Sequence, residues 1–552
     1  MTQIHRDTFV PLPEGKGMLD QVFLIRQLAD AVVDPLFCDA SLPDGLRLLL
    51  FNEVDAGLGD VAFATKLMGL LGENAPNLSV VLVTSGKEKQ AKFGLPAGVS
   101  MYGFDRYKKD ASGPDRAIDL VLSAPGIFDH CRLKETVFDT LGLPGSIPFL
   151  YIAEYGSIRQ LRDDAFKGYL DAIEEATDAY LDQIAAREGV SPDHIGYRSS
   201  TGDVLAVQGK ERRVLGHLTG LLTQPQAPNP LHLWLSQPYL KARSAGFDTS
   251  EVGIFIDDAL EPPCDRPTLL RELQDDTLRG LLEGRDEAAL YSGYAHSAHE
   301  YFLDAIAALE EGHERPVDVV MPNAREAQRS LDEFFLPPLL DRLKGAGFGQ
   351  VEVVGNAHQD GADHGLAQVS KRFGEGKRLR LITRYPLPHA DMRVLLRASE
   401  PATMVSGDQS FSEAVSARKE CVVIEPVYCQ TYHLDAQLAL AGAVDPELRK
   451  ILEFAMQFKR DDAAWEGVRG VLTSGRLSGY FARFNARIHQ DHRLNERVVA
   501  IVKRALLTSR REEITRAQTT LFENALKTFR PREGLTILGE DLQNLSQAIA
   551  QA

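Results

Sequence analysis

A glycine turn between an apolar run and a helical pattern carries the residue types of an anion-binding site. The segment Met404–Lys419 reads MVSGDQSFSEAVSARK. Gly407 permits close approach of the backbone to a ligand, and the N–H groups at the start of the following helix favour an anion such as a diphosphate. The residues predicted to bind it are Gly407, Gln409, Ser410, Ser412 and Glu413. Asp408 carries a negative charge and is not expected to face phosphates. We expect its carboxylate to accept a hydrogen bond from a ligand hydroxyl or to orient the loop, and it is a candidate catalytic residue.

A structural alternative exists for two of these residues. Ser410 and Glu413 have the Ser-x-x-Glu spacing of a capping box, which predicts a helix that begins at about Ser410. This interpretation explains the two capping residues but leaves Gly407 and Ser412 without a role, so both interpretations stay open.

A second glycine-containing loop follows the apolar run LRLLLF. Gly57 and Gly59 allow a tight turn, although the spacing is not GxGxxG and a dinucleotide site is not supported. Asp60 is predicted to cap the next helix, to act as a general base, or to do both. Asp55 and Glu53 are second-choice bases in the same loop.

Three further residues follow apolar runs in the second half of the chain. Glu425 is a candidate for the ribose hydroxyls of a nucleotide, because carboxylates occupy that place in other Rossmann-like sites; the alternative is an ordinary loop acid. Asn323 and Arg325 are predicted to bind the phosphates of such a nucleotide, since a guanidinium group matches phosphate geometry. The alternative is that they lie at a solvated helix start.

Two histidine-containing segments have residue types that can bind a metal ion. Residues of the NAHQDGADHG segment have ligand chemistry suited to zinc or manganese, but a polar glycine-rich loop is the favoured interpretation. His296 and His299 lie at i and i+3 without the HExxH pattern of metalloproteases. They are expected to be core histidines, and the alternative is that they line a cleft between domains. The sequence therefore predicts no metal site.

The elements that would position these residues are short apolar strands alternating with helical stretches. The apolar runs are Leu46–Phe51, Leu78–Val83, Ile118–Leu122, Phe149–Ile152 and Val252–Ile256, then Val317–Met321, Val351–Val354, Leu379–Thr383, Ala402–Val405 and Cys421–Ile424. Near-continuous apolar strands indicate parallel sheets covered on both faces. The pattern occurs twice, which predicts an α/β protein with two Rossmann-like domains.

The boundaries follow from these changes of pattern. We expect a helical leader over 1–45, a first domain over 46–312 with an insertion at about 156–246, a second domain over 313–440, and a helical region over 441–552. Glu310–Arg315 is the expected linker. The apolar spacing of Val498, Ile501, Val502 and Leu506 predicts a helix that packs against a core.

The composition of the chain makes nucleic acids and anionic membranes unfavourable as partners. The chain of 552 residues has a formal net charge of -17, which disfavours non-specific binding to nucleic acid or anionic membranes. Five scattered cysteines without a CxxC pair support neither a disulfide framework nor a zinc ribbon, and Cys421 is predicted to be a core residue. There is no signal-peptide pattern and no 18-residue apolar run, so we expect a cytoplasmic protein.

These motifs resemble parts of a known class of proteins. The order of strand, SGDQSFSEA and helix resembles the donor-binding half of GT-B glycosyltransferases, and is most similar to the protein-arginine rhamnosyltransferases that act on translation elongation factor P. Their Gly-Glu-Asp-Ser-Phe segment corresponds to Gly407–Phe411, where Gln409 replaces an expected acid. The GLGDVAFATKL loop is similar to the Gly-Asp loop of that family and of heptosyltransferases. The ITRYPLPHADMRV stretch also resembles the family, and Tyr385 is placed to stack on a nucleotide base.

The resemblance implies a GT-B fold with a nucleotide-sugar in a cleft between the domains. It implies a metal-independent and inverting sugar transfer, with Asp60 as base, no cofactor other than the donor substrate, and a protein or small molecule as acceptor. Two alternatives stay open: a non-catalytic binding or scaffold protein that acts through its helical extensions, and a sugar-nucleotide epimerase or phosphorylase.

Overall fold

The chain forms two compact units, each with its own sheet. The computed structural model describes residues 2–3, 29–54, 59–91, 93–126, 133–153, 197–198, 204–205, 242–247, 251–295, 298–321, 337–359, 362–384, 387–425, 431–456, 462–528 and 536–551. The first unit consists of Met1–Val252 with Leu494–Ala552, and the second unit is Gly253–Arg493. The protein is therefore of the α/β class predicted from its strand pattern.

The first unit is built on a six-stranded sheet in which every strand pair is parallel. Its strands are β1 (Leu46–Asn52), β2 (Leu78–Thr84), β3 (Ser100–Gly103), β4 (Leu120–Gly126), β5 (Phe149–Ala153) and β6 (Ala242–Ser244). They lie in the order β3-β2-β1-β4-β5-β6, which is the strand order of a doubly wound dinucleotide-binding fold. Leu48, Leu49 and Leu50 are completely buried, because helices cover both faces of such a sheet.

Helices from both ends of the chain belong to this first unit. They are α1 (Gly59–Asn74), α2 (Lys87–Ala91), α3 (Phe104–Asp110) and α4 (Leu133–Leu141), with 3-10 turns at Asp34–Phe37 and Gly113–Arg116. The C-terminal helices of the unit span Leu494–Arg510, Glu512–Thr528 and Gly539–Ala550. Two-residue strands pair Thr2–Gln3 with Thr536–Ile537 and Tyr197–Arg198 with Val204–Leu205. The helix Leu494–Arg510 packs on α1 with Val498, Ile501, Val502 and Leu506 buried, which confirms the predicted core-facing stripe.

A buried ionic cluster joins the first described helical residues to the helix Leu494–Arg510. Arg504 Nη1 donates to Asp30 Oδ1 at 2.7 Å and to Asp34 Oδ1 at 2.6 Å. Arg243 Nη2 lies 2.7 Å from Asp30 Oδ2. Removing one partner of a buried ion pair costs far more than an exposed pair contributes, because the remaining charge stays desolvated.

We predict that Arg504→Met lowers the free energy of unfolding by about 3–5 kcal/mol, since the Asp30 and Asp34 carboxylates lose their shared donor inside the protein. Arg510→Met is the matched control. Arg510 is half-exposed at the end of the same helix and pairs with Asp119, and such pairs contribute about 0–1 kcal/mol. Urea unfolding of the full chain measures both changes, and equal effects of the two variants would contradict the prediction.

The second unit is built on a seven-stranded mixed sheet. Its strands are β7 (Ala289–Gly293), β8 (Val317–Val320), β9 (Phe348–Gln359), β10 (Ala362–Arg372), β11 (Lys377–Thr383), β12 (Ala402–Ser406) and β13 (Glu420–Glu425). They lie in the order β10-β9-β11-β8-β7-β12-β13. All neighbouring pairs are parallel except the hairpin of β9 and β10.

Ten helices and one 3-10 turn are described in the second unit. The helices are α5 (Arg266–Glu272), α6 (Asp276–Leu282), α7 (His299–Leu309), α8 (Pro337–Gly345), α9 (His389–Ala398), α10 (Gly407–Ser416), α11 (Thr431–Val444), α12 (Pro446–Ala455), α13 (Asp462–Leu472) and α14 (Leu477–Asp491), of which α5 and α6 are single short segments before the sheet. The 3-10 turn is Asp258–Leu260. The three helices that end the chain follow as α15 (Leu494–Arg510), α16 (Glu512–Thr528) and α17 (Gly539–Ala550).

The division between the units differs from the boundary at 312 expected from the sequence. The strand β7 pairs with β8 and β12 and so lies inside the second sheet, although no apolar run was assigned there. Val252–Ile256, expected as a strand of the first domain, makes only an isolated bridge between Ile254 and Arg493. The second unit therefore starts at Gly253.

The Glu310–Arg315 segment is a packed turn of the second unit rather than a linker. Glu310 is completely buried. Its carboxylate accepts a hydrogen bond from Tyr291 Oη at 2.7 Å and another from Arg315 Nη2 at 2.7 Å, and its carbonyl accepts from Lys377 Nζ. The charged composition that suggested a linker is thus explained by a buried ionic network.

The expected helical region 441–552 is also divided. Its helices α12, α13 and α14 belong to the second unit, and the later helices belong to the first. Periodicity predicts an amphipathic helix but does not tell which core its apolar face contacts. Cys421 is 1% exposed, as expected of a core residue. Among the described helices, none is both long enough and apolar enough to span a membrane.

Candidate functional site

The strand order of the second sheet identifies the edge at which a ligand site is expected. From the central strand β7 the chain moves to β8 and β11 on one side, and then crosses to β12 and β13 on the other side. In open α/β sheets, ligands bind beyond the carboxyl ends of the strands where the order reverses. Here that point lies between β7 and β12, and the turn with Gly407 directly follows β12.

Gly407 turns the backbone sharply at the carboxyl end of β12. Its φ is +75°, whereas Ser406 before it is extended with φ −133° and ψ 122°. A residue with a side chain is disfavoured at such a φ, which explains the glycine. Ser406 makes no side-chain cap to α10, and the described residues supply no side-chain acceptor for the amides of Gly407 and Gln409. Amides at the start of a helix of ten residues can therefore meet an anion.

The hydroxyl group of Ser406 adds a second signal at the same turn. Ser406 is 8% exposed, and its Oγ atom is buried without a hydrogen-bond partner among the described residues. Buried hydroxyl groups are normally hydrogen-bonded, so each exception calls for a ligand, water or strain. The sequence placed Ser406 after the predicted strand Ala402–Val405 and gave it no role, whereas the structure has it as the last residue of β12.

Ser410 stabilises the turn from inside the helix. Its Oγ accepts a hydrogen bond from the Ser406 N–H at 3.0 Å and contacts the Gly407 carbonyl at 3.1 Å. Because α10 begins at Gly407, the capping box expected at Ser410 and Glu413 does not form. Gln409 Nε2 instead donates to Glu413 Oε1 at 3.1 Å.

We predict that Ser410→Ala lowers the free energy of unfolding by about 1–2 kcal/mol, because the Ser406 N–H loses its acceptor in a partly buried place. Ser509→Ala is the control, since that hydroxyl donates only to the Leu506 carbonyl of its own helix. Chemical unfolding of both variants measures the difference. A Ser410→Ala protein as stable as the control would show that the turn does not need this bond.

His389 joins this edge from the start of α9. Its Nε2 lies 3.1 Å from Glu413 Oε1, so Glu413 contacts both His389 and Gln409. The side chain of His389 is 35% exposed and that of Glu413 is 13% exposed. Sequence reasoning passed over His389, although its place directly after a proline turn and before a helix was a usable signal.

Glu425 lies beside the turn, as its place at the end of an apolar run suggested. Ser406 and Glu425 are register partners at the carboxyl ends of the parallel strands β12 and β13. Glu425 is 5% exposed. The pairing of two parallel strands therefore brings a carboxylate next to the helix-start amides.

Asp408 and Ser412 lie on the buried side of α10. Asp408 is 9% exposed and Ser412 is 2% exposed. The Ser412 carbonyl accepts a hydrogen bond from Ser416 Oγ at 2.7 Å. In this conformation Ser412 offers little surface to a ligand, because its helix face packs against the unit's core; a donor-binding role for it remains a prediction.

The elements on either side of the predicted loop with Gly57 and Gly59 lie at the corresponding point of the first sheet. There the strand order reverses between β1 and β4, and α1 begins at Gly59 directly beyond β1. Asn52 is completely buried. Its Nδ2 donates to the carbonyls of Asp60 at 3.1 Å and Ala124 at 3.2 Å. Asn52 thus fixes the start of α1 to the ends of β1 and β4.

Asp60 itself lies in the first turn of α1 and is 8% exposed. A carboxylate there is favoured by the helix dipole. Five predicted residues lie outside the described part of the chain: Asp55, Gly57, Asn323, Arg325 and Tyr385. Within the described part, no group of three or more His, Cys, Asp or Glu side chains is arranged to hold a metal ion.

Comparison with known proteins gives only distant similarities. No family profile and no curated protein sequence matches the chain. Among solved structures, Anabaena HepE in complex with UDP and glucose is 9% identical, with a TM-score of 0.33, covering 81% of this chain and 96% of that one. A UGT transferase from Siraitia grosvenorii in complex with UDP is 13% identical, with a TM-score of 0.36 and coverages of 81% and 94%.

A UDP-glucosyltransferase from Polygonum tinctorium, capable of glucosylating indoxyl, is 11% identical, with a TM-score of 0.38, covering 84% of this chain and 99% of that one. At these identities and TM-scores the similarities assign the chain neither to a family nor to an activity.

Proposed function

We propose that this chain is a glycosyltransferase of the two-domain GT-B kind that uses a nucleotide-sugar donor. The observation that carries the proposal is the Gly407 turn, which lies beyond β12 at the switch point of the second sheet with amides that no described side chain accepts. We assign the diphosphate of the donor to this turn.

The chemistry of the turn suits a diphosphate bonded to a sugar. The helix dipole and the amides of Gly407 and Gln409 favour negative charge, and the Ser406 hydroxyl supplies a further donor. The carboxylates of Asp408 and Glu425 would repel phosphate oxygens, but they accept hydrogen bonds from hydroxyl groups. Ribose and hexose offer such hydroxyls on either side of a diphosphate.

The proposed reaction is a direct displacement. The acceptor atom forms a bond to the anomeric carbon while the bond from that carbon to the diphosphate oxygen breaks. The acceptor proton passes to the Asp60 carboxylate, and the bond electrons leave with the nucleoside diphosphate. Preorganised amides at a helix start stabilise charge that develops on a leaving group, so neither a metal ion nor another cofactor is required by the proposal.

The first test concerns the turn. We expect Gly407→Ala to weaken binding of a nucleotide-sugar at least tenfold, because a Cβ at φ +75° costs about 1–2 kcal/mol or shifts the amides. Gly312→Ala is the matched control, since Gly312 has φ +82° and open space around its Cα atom. Calorimetry with UDP-, GDP- and dTDP-sugars measures both variants.

Two results of this titration would contradict the proposed donor site. One is that no nucleotide-sugar binds the wild-type protein at millimolar concentration. The other is that Gly407→Ala and Gly312→Ala bind the donor equally well. Ser406→Ala is a second variant that retains the glycine, and we expect it to weaken binding severalfold through the loss of one hydroxyl donor.

The second test concerns the proposed base. Asp60→Asn is expected to lower kcat by about 100-fold or more while the donor Kd stays unchanged, since general bases contribute about 10²–10⁴ in rate. Glu73→Gln, an exposed acid near the end of the same helix, is the control. Donor consumption is measured with arginine-containing protein acceptors and with small hydroxylated acceptors. Unchanged turnover by Asp60→Asn would remove Asp60 from the mechanism.

A further inference from the structure

A cavity lies at the edge of the second sheet opposite the Gly407 turn, where the strands begin. It has a volume of about 230 Å³ and is lined by Arg266, Asp286, Leu290, Ala398, Ser399 and Glu400, among others. Leu290 belongs to the first residues of β7, and Glu400 precedes β12 by two positions. The cavity is therefore separate from the Gly407 turn, which follows the carboxyl end of β12.

Arg266 is part of an arginine-rich cluster beneath this cavity. The carboxylate of Asp318 is completely buried. It accepts paired hydrogen bonds from Arg285 at 3.0 and 3.1 Å and from Arg380 at 3.0 Å. Arg266 Nη2 lies 3.6 Å from the same carboxylate. Three guanidinium groups share one buried carboxylate, which leaves the cluster with an excess of positive charge.

The guanidinium group of Arg266 has donors that the protein does not use. Its Nη2 donates to the Arg285 carbonyl at 3.3 Å. Its Nη1 makes no hydrogen bond with the described residues, and its Nε is buried without a partner there. The Arg266 side chain is 13% exposed. An enclosed guanidinium with spare donors favours a planar acceptor such as a carboxylate.

The rest of the cavity wall carries acids and is held in place. Asp286 is exposed, and its side chain makes no hydrogen bond with the described residues. Glu400 pairs with Arg315 Nη1 at 2.9 Å. The carbonyls of Ser399 and Glu400 accept hydrogen bonds from the buried Lys419 Nζ at 2.6 and 3.1 Å. The wall is therefore formed before any ligand binds.

We propose that this cavity binds a small zwitterion, specifically a free α-amino acid. Its carboxylate accepts hydrogen bonds from Nη1 of Arg266, and its ammonium donates to the Asp286 carboxylate. Asp286 and Glu400 would repel a multiply charged phosphate. The volume lies below the roughly 300–1,000 Å³ of pockets for drug-sized ligands, so it suits a small metabolite. This assignment does not depend on the proposed glycosyl transfer.

The test is a titration of the full chain with single amino acids, followed by calorimetry. For an amino acid that binds, the matched α-keto acid lacks the ammonium and the matched amine lacks the carboxylate. We expect both analogues to bind at least tenfold more weakly than the amino acid. Equal binding of either analogue, or no binding of any amino acid at millimolar concentration, overturns the proposal.

Variants locate the binding in the cavity. We expect Arg266→Gln and Asp286→Asn each to weaken the binding at least tenfold, whereas Arg271→Gln on the same helix and Glu287→Gln beside Asp286 leave it unchanged. Asp286 is exposed, so Asp286→Asn remains decisive even if Arg266→Gln disturbs the Asp318 cluster and fails to fold. Unchanged binding by Asp286→Asn overturns the site. Nucleotide-sugar binding is measured on the same samples, so a failure of one proposal is distinguished from a failure of the other.

Discussion

The burial of parallel strands on both faces is the constraint on which the rest of this protein depends. A parallel strand pair needs a crossover that returns the chain to the same end of the sheet, and helices provide it. Every such crossover places a loop and a helix start at the carboxyl end of a strand. Both units follow this rule. In the first sheet, β1 lies between β2, which comes before the reversal of strand order, and β4, which comes after it. In the second sheet, β7 lies in the same way between β8 and β12.

Within the second unit, this geometry brings a left-handed backbone residue and several polar side chains together at one point. The turn at Gly407 needs a left-handed residue, and the Ser410 hydroxyl holds the amide before it. The register of β12 with β13 places Glu425 alongside, and α9 contributes His389 through Glu413. Residues from four elements meet there because the ends of parallel strands and the starts of their helices share one edge.

The two edges of the same sheet carry different electrostatics. At the carboxyl edge, the positive potential comes from backbone amides and a helix dipole, with carboxylates beside them. At the amino edge, it comes from arginine side chains grouped around the buried Asp318. Backbone amides suit a ligand that approaches the chain closely, whereas a guanidinium fork selects a planar acid. One sheet can therefore hold two sites of different chemistry without their competing for the same residues.

Local sequence determined much of this arrangement. Nine of the ten apolar runs became strands, because a fully buried parallel strand must be apolar along its whole length, and the glycine turn and the stripe of α15 were also visible in it. The tertiary structure alone decided that β7 lies inside the second sheet, that Glu310 is a buried carboxylate rather than part of a linker, and that the last helices return to the first unit. It also decided the start of α10 and the surroundings of Ser406, His389 and Asn52. These depend on partners far away in the chain, and a periodic pattern records only which face is apolar, never which surface covers it.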